Sequence, residues 1–219
     1  MITNQPDWEE FWQKTRTSYC NSWLKRKRYQ LIGKTAAKEC LGLLKGKKIK
    51  SLLELGGGGG LLAVLLAKKL GLKSKELVLI DKSFQGQLAW RQFSGFGRFI
   101  KADFFTYNFG RKKFDLVLSR GLIEHWPDKR ERLRVIKKHA ELSKKYILIR
   151  VPKKDWLMHI LLYRQLAIRL VRERSDDGYE KLYTAQEIKR EVRQAGLKVV
   201  GFKDGLISYT VLATIKRRK

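Results

Sequence analysis

The sequence predicts an α/β fold with a largely parallel sheet, and three observations support this prediction. Short apolar segments typical of strands alternate with amphipathic segments typical of helices from Ser51 onward. Five consecutive glycines, 56–60, separate the strand-like "SLLEL" from the helix-like "LLAVLLAKK". The last two apolar segments are joined by a short connection that contains Asp204 and Gly205, a turn signal, so these two strands should pair antiparallel.

The order of the elements follows from hydrophobic spacing and from helix end signals. Residues 7–45 are predicted to be helical. The last predicted helix begins with the capping box "TAQE" and ends at Gly196. After residue 45, helices are predicted at 61–70, 83–93, 128–143 and 184–195. The predicted strands are, in chain order, "SLLEL", "ELVLID", "RFIKAD", "FDLVLS", "KYILIRV", "KVVGF" and "SYTVLATI".

The glycine run is either a flexible linker or a loop whose backbone approaches a ligand closely. A linker is not expected between two apolar segments that both belong to a core. A loop between a strand and a helix is where a doubly wound sheet binds nucleotides. Glycine permits the sharp turn, and the following helix offers unpaired N–H groups at its start. We therefore expect residues 56–60 to line a ligand site.

Two ligand frames fit the glycine run. The frame Glu54-x-Gly56-x-Gly58-x-Gly60 is an acidic residue followed by three alternating glycines. The frame Gly58-x-Gly60-x-x-Ala63 is a weaker match to a dinucleotide site. The Tyr-x-x-x-Lys pair of many dehydrogenases is absent from the sequence, which favours the first frame.

Acidic residues after the next two strands also favour the first frame. Asp81 ends "LVLID", where a carboxylate can accept hydrogen bonds from both ribose hydroxyls. Asp103 follows "FIKA", where a carboxylate suits an adenine amino group. A dinucleotide site predicts no acidic residue at the position of Asp103.

The order of these motifs resembles the class I S-adenosylmethionine-dependent methyltransferases. The matching segments are "LLELGGGGG", "LVLIDKS", "FIKADFF", "FDLVLSRGLIEHWPD" and "KYILIRVPK", and the resemblance covers about residues 45–215. It is greatest to the small-molecule branch that includes the ubiquinone and menaquinone methyltransferases. The resemblance implies a Rossmann-like, seven-stranded, mostly parallel sheet in the order 3-2-1-4-5-7-6, with the last strand antiparallel and helices on both faces.

The resemblance also implies the cofactor, S-adenosyl-L-methionine, and the residues that bind it. Asp81 would hold the ribose, and Asp103 with Phe104 would bound the adenine. Ser119 and Arg120 would lie near the methyl group. The full set of implied cofactor-binding residues is Glu54, Gly56, Gly58, Gly60, Asp81, Lys82, Asp103, Phe104, Ser119 and Arg120.

One histidine stands where a catalytic group is expected, in "GLIEHWPD". His125 is either a proton acceptor or substrate ligand, or a residue that shapes the loop after the fourth strand. A resemblance to the quinone-precursor O-methyltransferases would imply a metal bound by Glu-x-x-Glu-His. Here Gly121 replaces the first glutamate and leaves only Glu124 and His125, so we predict no metal site.

The resemblance divides the chain into two parts. Residues 1–44 are expected to form a helical segment that caps the cofactor site, and residues 45–219 the methyltransferase domain. An insertion at 153–183 is too long for an ordinary connection and is expected to form a helical lid. The stretch 155–174 has apolar positions and a basic arc, so it would either cover a substrate pocket or lie at a membrane surface.

Charge and cysteine content limit the partners and the compartment. The net charge is +28, which attracts RNA, DNA, anionic lipid or acidic small molecules, although a lysine-rich surface can also serve solubility alone. Two cysteines and an N-terminus without a signal peptide favour the cytoplasm, with membrane association through 155–174 as an option. The expected function is methyl transfer to a small molecule that is lipophilic if the membrane option holds. The alternatives are an RNA methyltransferase and a non-catalytic cofactor-binding protein; nucleic acid is not the favoured partner.

Overall fold

Seven strands form one sheet in the computed structural model of the chain, which describes residues 7–154, 180–205 and 207–216. The strands are β1 Leu52–Leu55, β2 Leu77–Asp81, β3 Arg98–Lys101, β4 Phe114–Arg120, β5 Ser143–Pro152, β6 Leu197–Asp204 and β7 Ser208–Ile215. Their spatial order is β3-β2-β1-β4-β5-β7-β6. Neighbouring strands from β3 to β5 pair parallel, whereas β7 pairs antiparallel with both β5 and β6. The predicted sheet order and the antiparallel last strand are confirmed.

The described helices are α1 Trp8–Asn21, α2 Trp23–Leu44, α3 Leu61–Lys69, α4 Phe84–Phe93, α5 Lys129–Leu142 and α6 Ala185–Gln194. The capping signals read from the sequence operate as predicted. The Asp128 carboxylate accepts a hydrogen bond from the Arg130 N–H at the start of α5. At the start of α6, Thr184 and Glu187 each accept a hydrogen bond from the other residue's N–H, which is the reciprocal capping box.

The sheet is buried on both faces because helices cover each of them. Side chains of successive strand residues point to opposite faces. Leu52 in β1 packs with buried residues of α2 and α3, whereas Leu53 packs with buried residues of α5 and α6. Both leucines are fully buried, and burial of such a side chain contributes about 1.5–3 kcal/mol. The two cores therefore fix the sheet between two helical layers, as an α/β fold requires.

The chain changes direction across the sheet between β1 and β4. β2 and β3 lie on one side of β1, and β4 and β5 lie on the other. In an open parallel sheet the crevice at such a switch point, outside the carboxyl ends of the strands, is where ligands bind. The glycine run and the residues that follow β2 and β4 all lie at this edge.

The central part of the insertion, including the expected helix at 155–174, lies outside the described residues. Its two ends are held together. Lys154 donates its N–H to the Tyr183 carbonyl at 2.7 Å, and Tyr183 donates its N–H to the Pro152 carbonyl at 3.1 Å. Within the ranges described, no helix is both long enough and apolar enough to cross a bilayer.

Candidate cofactor site

The glycine run forms a tight loop between β1 and α3. Gly56, Gly58 and Gly60 have φ values of 63°, 45° and 67°, a left-handed conformation that L side chains rarely adopt. The Gly57 N–H donates to the Ile80 carbonyl of β2, so the loop is anchored to the neighbouring strand. This geometry explains why glycine is required at these three positions, and residues 57–60 of the loop are buried in the structure.

Asp81 at the end of β2 is bound directly to the glycine loop. Its Oδ2 accepts a hydrogen bond from the Gly58 N–H at 2.8 Å, and its Oδ1 accepts one from the Ser83 N–H at 2.8 Å. Burial raises the pKa of this carboxyl, and the two hydrogen bonds partly offset that effect. Two backbone donors therefore fix the orientation of the carboxylate that was predicted to bind ribose.

Glu54 lies beneath the same loop. Its side chain is buried, its Oε2 has no hydrogen-bond partner among the described residues, and a Cβ at Gly57 would lie 3.5 Å from that oxygen. Burial raises the pKa of Glu54 to about 8; the positive charge of Arg120 opposes this shift and the charge of Asp81 adds to it. A buried carboxyl oxygen without a hydrogen-bond partner is costly, and a cationic ligand group would supply that partner.

The end of β4 contributes two of the predicted residues. Ser119 is buried, and its Oγ also lacks a hydrogen-bond partner in the part of the chain that the structure describes. Arg120 follows it at the carboxyl edge and is half-buried, close enough to Glu54 to influence its pKa. These residues, together with Glu54 and Asp81, surround the loop from three adjacent strands.

The predicted adenine-binding residues lie after β3. Asp103 is exposed, and its Oδ1 accepts a hydrogen bond from the Phe105 N–H at 2.7 Å, so it stabilises its own turn. Phe104 is only 8% exposed, and its ring centroid lies 6.5 Å from that of Trp126. Lys82 is exposed. Of this group, Phe104 has the burial expected of a hydrophobic wall.

His125 lies in a single 3₁₀ turn, Ile123–His125, after β4. Its ring packs edge-on against Trp8 of α1, with the ring centroids 4.7 Å apart. The neighbouring Glu124 is buried, and burial raises its pKa to about 8. Among the described residues, no group of three or more His, Cys, Asp or Glu side chains could hold a metal ion.

Helix α1 crosses this edge through side-chain contacts that the sequence did not identify. The Trp12 ring lies so close to Gly58 that a Cβ there would overlap it, and a Cβ at Gly59 would lie 3.0 Å from the same ring. The Glu9 carboxylate accepts hydrogen bonds from the N–H groups of Phe84 and Gln85 at the start of α4, at 2.7 and 2.9 Å. Helix α1 therefore contacts the segments after β1, β2 and β4 at once.

The sequence contained only a general signal for these contacts. Trp8, Phe11 and Trp12 are apolar positions of a predicted helix, and such positions usually mark a face that packs on the protein. Nothing in their spacing identifies the surface on which they pack, because the partners are more than 40 residues away in the sequence.

Comparison with known proteins identifies the family of this fold. The sequence matches the family described as "Methyltransferase domain" over residues 24–201. Comparison with curated proteins gives no match. Among solved structures, an O-methyltransferase family protein from Burkholderia thailandensis shares 19% identity with a TM-score of 0.66, over 93% of this chain and 60% of that one.

Two further solved structures contain the cofactor or its product. Magnesium protoporphyrin IX methyltransferase from Synechocystis, with bound S-adenosylhomocysteine, shares 16% identity with a TM-score of 0.60, over 89% of this chain and 88% of that one. Human N-acetylserotonin methyltransferase, in complex with S-adenosylmethionine, shares 17% identity with a TM-score of 0.66, over 98% of this chain and 64% of that one. This chain thus spans less than two thirds of the Burkholderia and human proteins. Because the family match extends over more than half of its residues, the chain belongs to the methyltransferase-domain family.

Proposed function

We propose that the protein transfers a methyl group from S-adenosylmethionine to a small molecule, and that this acceptor is lipophilic. The observation that carries the proposal is the position of the Asp81 carboxylate, held by the Gly58 and Ser83 N–H groups at the switch point of the sheet. A carboxylate fixed there can accept hydrogen bonds from two neighbouring hydroxyls, the pattern that a ribose presents.

The other residues of the site suit the remaining parts of the cofactor. Glu54 would compensate the positive charge of the methionine end, and this contact would satisfy its buried Oε2. Phe104 would provide an apolar wall for the adenine, with Asp103 and Lys82 at its rim. The cofactor supplies an electrophilic methyl group, so the protein has mainly to align the acceptor and exclude water.

We propose that the N-terminal segment 1–44 closes the cofactor site, as the sequence suggests. Support comes from α1, which contacts the glycine loop through Trp12 and the loop after β4 through Trp8. This position would keep water from the methyl group. His125 lies beside Trp8, where it would contact the acceptor or accept a proton from it.

The sequence around β4 bears on the class of the methyl acceptor. The Asn/Asp-Pro-Pro-aromatic motif of enzymes that methylate base amines is absent, and "SRGL" stands in its place. No cysteine follows β4 or β5, as pyrimidine C5 methylation would need. The motifs resemble the ubiquinone and menaquinone branch most, and a ring of that lipophilic class is the acceptor we propose.

Incubation with methyl-labelled S-adenosylmethionine and a cell extract tests this function. The extract is separated afterwards into solvent-soluble small molecules, water-soluble small molecules, RNA and protein. We expect label in the solvent-soluble fraction, and we expect the Asp81→Asn variant to lose it. Label in the RNA fraction would contradict this function and would indicate an RNA methyltransferase instead. Tight S-adenosylhomocysteine binding with no label in any fraction would favour a non-catalytic protein.

A further inference from the structure

We propose that helix α2 is a docking surface for an anionic membrane. One face of this helix carries both exposed apolar side chains and lysines. This surface is separate from the residues proposed to bind the cofactor, and binding to it can be measured without methyl transfer. The inference therefore stands or falls independently of the proposed function.

The exposed apolar residues lie at the start of α2. Leu24 is 69% exposed, Leu31 is 65% exposed and Trp23 is 61% exposed. Leu24 and Leu31 are seven positions apart, which is two helical turns, so both lie on the same face. A contiguous exposed patch of large apolar side chains on a folded domain marks an interaction site more often than an isolated exposed residue does.

Lysines occupy the rest of this face. Lys27, Lys34 and Lys38 are exposed and follow the same helical spacing as the leucines. The Lys27 Nζ lies 3.9 Å from the centroid of the Trp23 ring. Residues 23–38 include six lysines and arginines and no acidic residue. Both an apolar and a cationic contact are therefore available from one side of the helix.

This combination fits a lipid surface better than RNA. Aliphatic side chains such as Leu24 and Leu31 can enter the acyl boundary, while lysines beside them reach the anionic headgroups. Trp23 would lie at the headgroup level, where tryptophan is enriched. Single-stranded RNA is bound through aromatic stacking and cationic grooves, which would leave both leucines in water. The net charge of +28 favours an anionic partner of either kind. The exposed leucines are therefore the feature that favours a membrane over RNA.

The opposite face of α2 is fixed firmly to the domain. Ala36 and Cys40 are fully buried, and Arg150 of β5 pairs with Glu39 while it also donates to the Thr210 hydroxyl at 2.8 Å. The exposed face is thus presented by a helix whose inner side is held by packing and by a charged hydrogen bond. Such an anchor lets the surface bind a membrane without separating from the sheet.

The inner side of α2 lies close to the cofactor site. Tyr29 of α2 packs against Phe93 of α4, with ring centroids 5.1 Å apart. A Cβ at Gly59 would lie 2.8 Å from the Phe93 ring, so this aromatic pair links α2 to the glycine loop. The helix proposed to bind the membrane therefore also packs, through its inner side, at the edge of the sheet where the cofactor site lies.

Vesicle flotation tests the proposal with the full-length protein. One set of vesicles contains phosphatidylcholine alone, and the other contains phosphatidylcholine with phosphatidylserine. The first variant is Leu24→Gln/Leu31→Gln, which keeps the charge and the helix propensity; its control is Val200→Gln, an exposed apolar residue of β6. The second variant is Lys27→Gln/Lys34→Gln/Lys38→Gln. Its control replaces three exposed lysines beside the other layer of helices, Lys129, Lys137 and Lys144, by glutamine.

We expect the wild-type protein to float with the phosphatidylserine vesicles and not with phosphatidylcholine alone, and to dissociate as salt is added. The leucine and lysine variants should each bind at least about tenfold more weakly, whereas both controls retain binding. Equal binding by a variant and its control would overturn the proposal. It would also be overturned if the wild-type protein bound RNA and not vesicles. Thermal unfolding of each variant establishes that it is folded.

Discussion

The ring of Trp12 covers the backbone of Gly58, the residue whose N–H binds the Asp81 carboxylate at 2.8 Å. Helix α1 therefore lies on the surface that the glycine loop would present to its ligand. If the cofactor approaches Gly58 closely, the ring must move, so α1 would open to admit the cofactor and close afterwards. Ser22 is the one residue between α1 and α2, and its backbone is extended. We expect α1 to rotate relative to α2 about this residue.

Removal of the Trp12 ring should accelerate cofactor binding. In Trp12→Ala the glycine loop no longer has to be uncovered before the ligand enters, so the binding-competent fraction rises. We expect the association rate constant for S-adenosylhomocysteine, measured by stopped-flow fluorescence, to increase about tenfold if the closed form dominates in the free protein. Trp23→Ala, which removes an exposed tryptophan of α2, is the matched control and should leave the rate unchanged. A slower or unaltered rate in Trp12→Ala would argue against a gating role.

The Glu9 carboxylate should hold α1 in the closed position. It accepts hydrogen bonds from Phe84 and Gln85 at the start of α4, where the helix dipole also favours a negative charge. Burial acts to raise the pKa of Glu9, but these hydrogen bonds outweigh it and hold the pKa below its usual value. Glu9 is exposed, so solvent screening reduces the loss of these charge-assisted hydrogen bonds to about 1 kcal/mol, and Glu9→Gln should accelerate amide hydrogen exchange across α1 about fivefold.

Glu10→Gln is the matched control for this measurement. Glu10 is the adjacent residue, is exposed, and pairs only within α1 with Lys14 in the contacts described. Its removal should alter exchange in α1 by much less, because an exposed pair of this type contributes about 0.3–0.5 kcal/mol. Equal acceleration in the two variants would indicate that Glu9 has no special role as a contact between α1 and α4.

His139 should make the protein less stable at acidic pH. It is fully buried in α5 and donates from Nδ1 to the Val135 carbonyl at 2.8 Å. Burial lowers the pKa of His139 to about 4 in the folded chain, from its usual value of 6.5. The unfolded chain therefore binds a proton that the folded chain does not, and stability falls as pH decreases from about 6.5 to about 4. The loss attributable to this side chain is about 3 kcal/mol.

Urea unfolding of the wild type and of His139→Gln across this pH window measures the effect. The substitution itself lowers the free energy of unfolding at every pH. The informative quantity is therefore how the difference in this free energy between wild type and variant changes with pH. This difference in the free energy of unfolding should narrow as pH falls from 6.5 to 4, because only the wild type takes up a proton at this position when it unfolds. A difference that stays constant across the window would show that His139 is not buried as a neutral group.

The strands and most helix ends were predictable because they depend on local signals. Hydrophobic spacing located β1 to β7, and the capping residues Asp128 and Thr184 marked the starts of two helices. The tight loop at the glycine run was also predictable from a local signal. Conformations such as the φ of 45° at Gly58 are rarely adopted by other residues, so consecutive glycines indicate a sharp turn. The sheet order came from the resemblance to a family rather than from the residues alone.

The contacts between α1 and the sheet edge were not predictable in the same way. Glu9 lies 75 residues from Phe84, and a single carboxylate at a helix start gives no indication of a distant partner. The side-chain contact of Asp103 was likewise not predictable from its position in the sequence. Its position after β3 suggested an adenine ligand, and in the structure one of its oxygens accepts from Phe105 in its own turn. Such roles depend on side-chain geometry that sequence spacing does not specify.

Calorimetry of S-adenosylhomocysteine binding to Asp81→Asn tests the central claim most directly, since that claim places the ribose on this carboxylate. The amide cannot accept from Gly58 and Ser83 and also serve two hydroxyls, so we expect at least tenfold weaker binding, equivalent to about 1.4 kcal/mol. Glu141→Gln, which removes an exposed carboxylate from α5, should bind as the wild type does. If folded Asp81→Asn protein binds S-adenosylhomocysteine as tightly as the wild type, the cofactor does not lie at the switch point as we describe it.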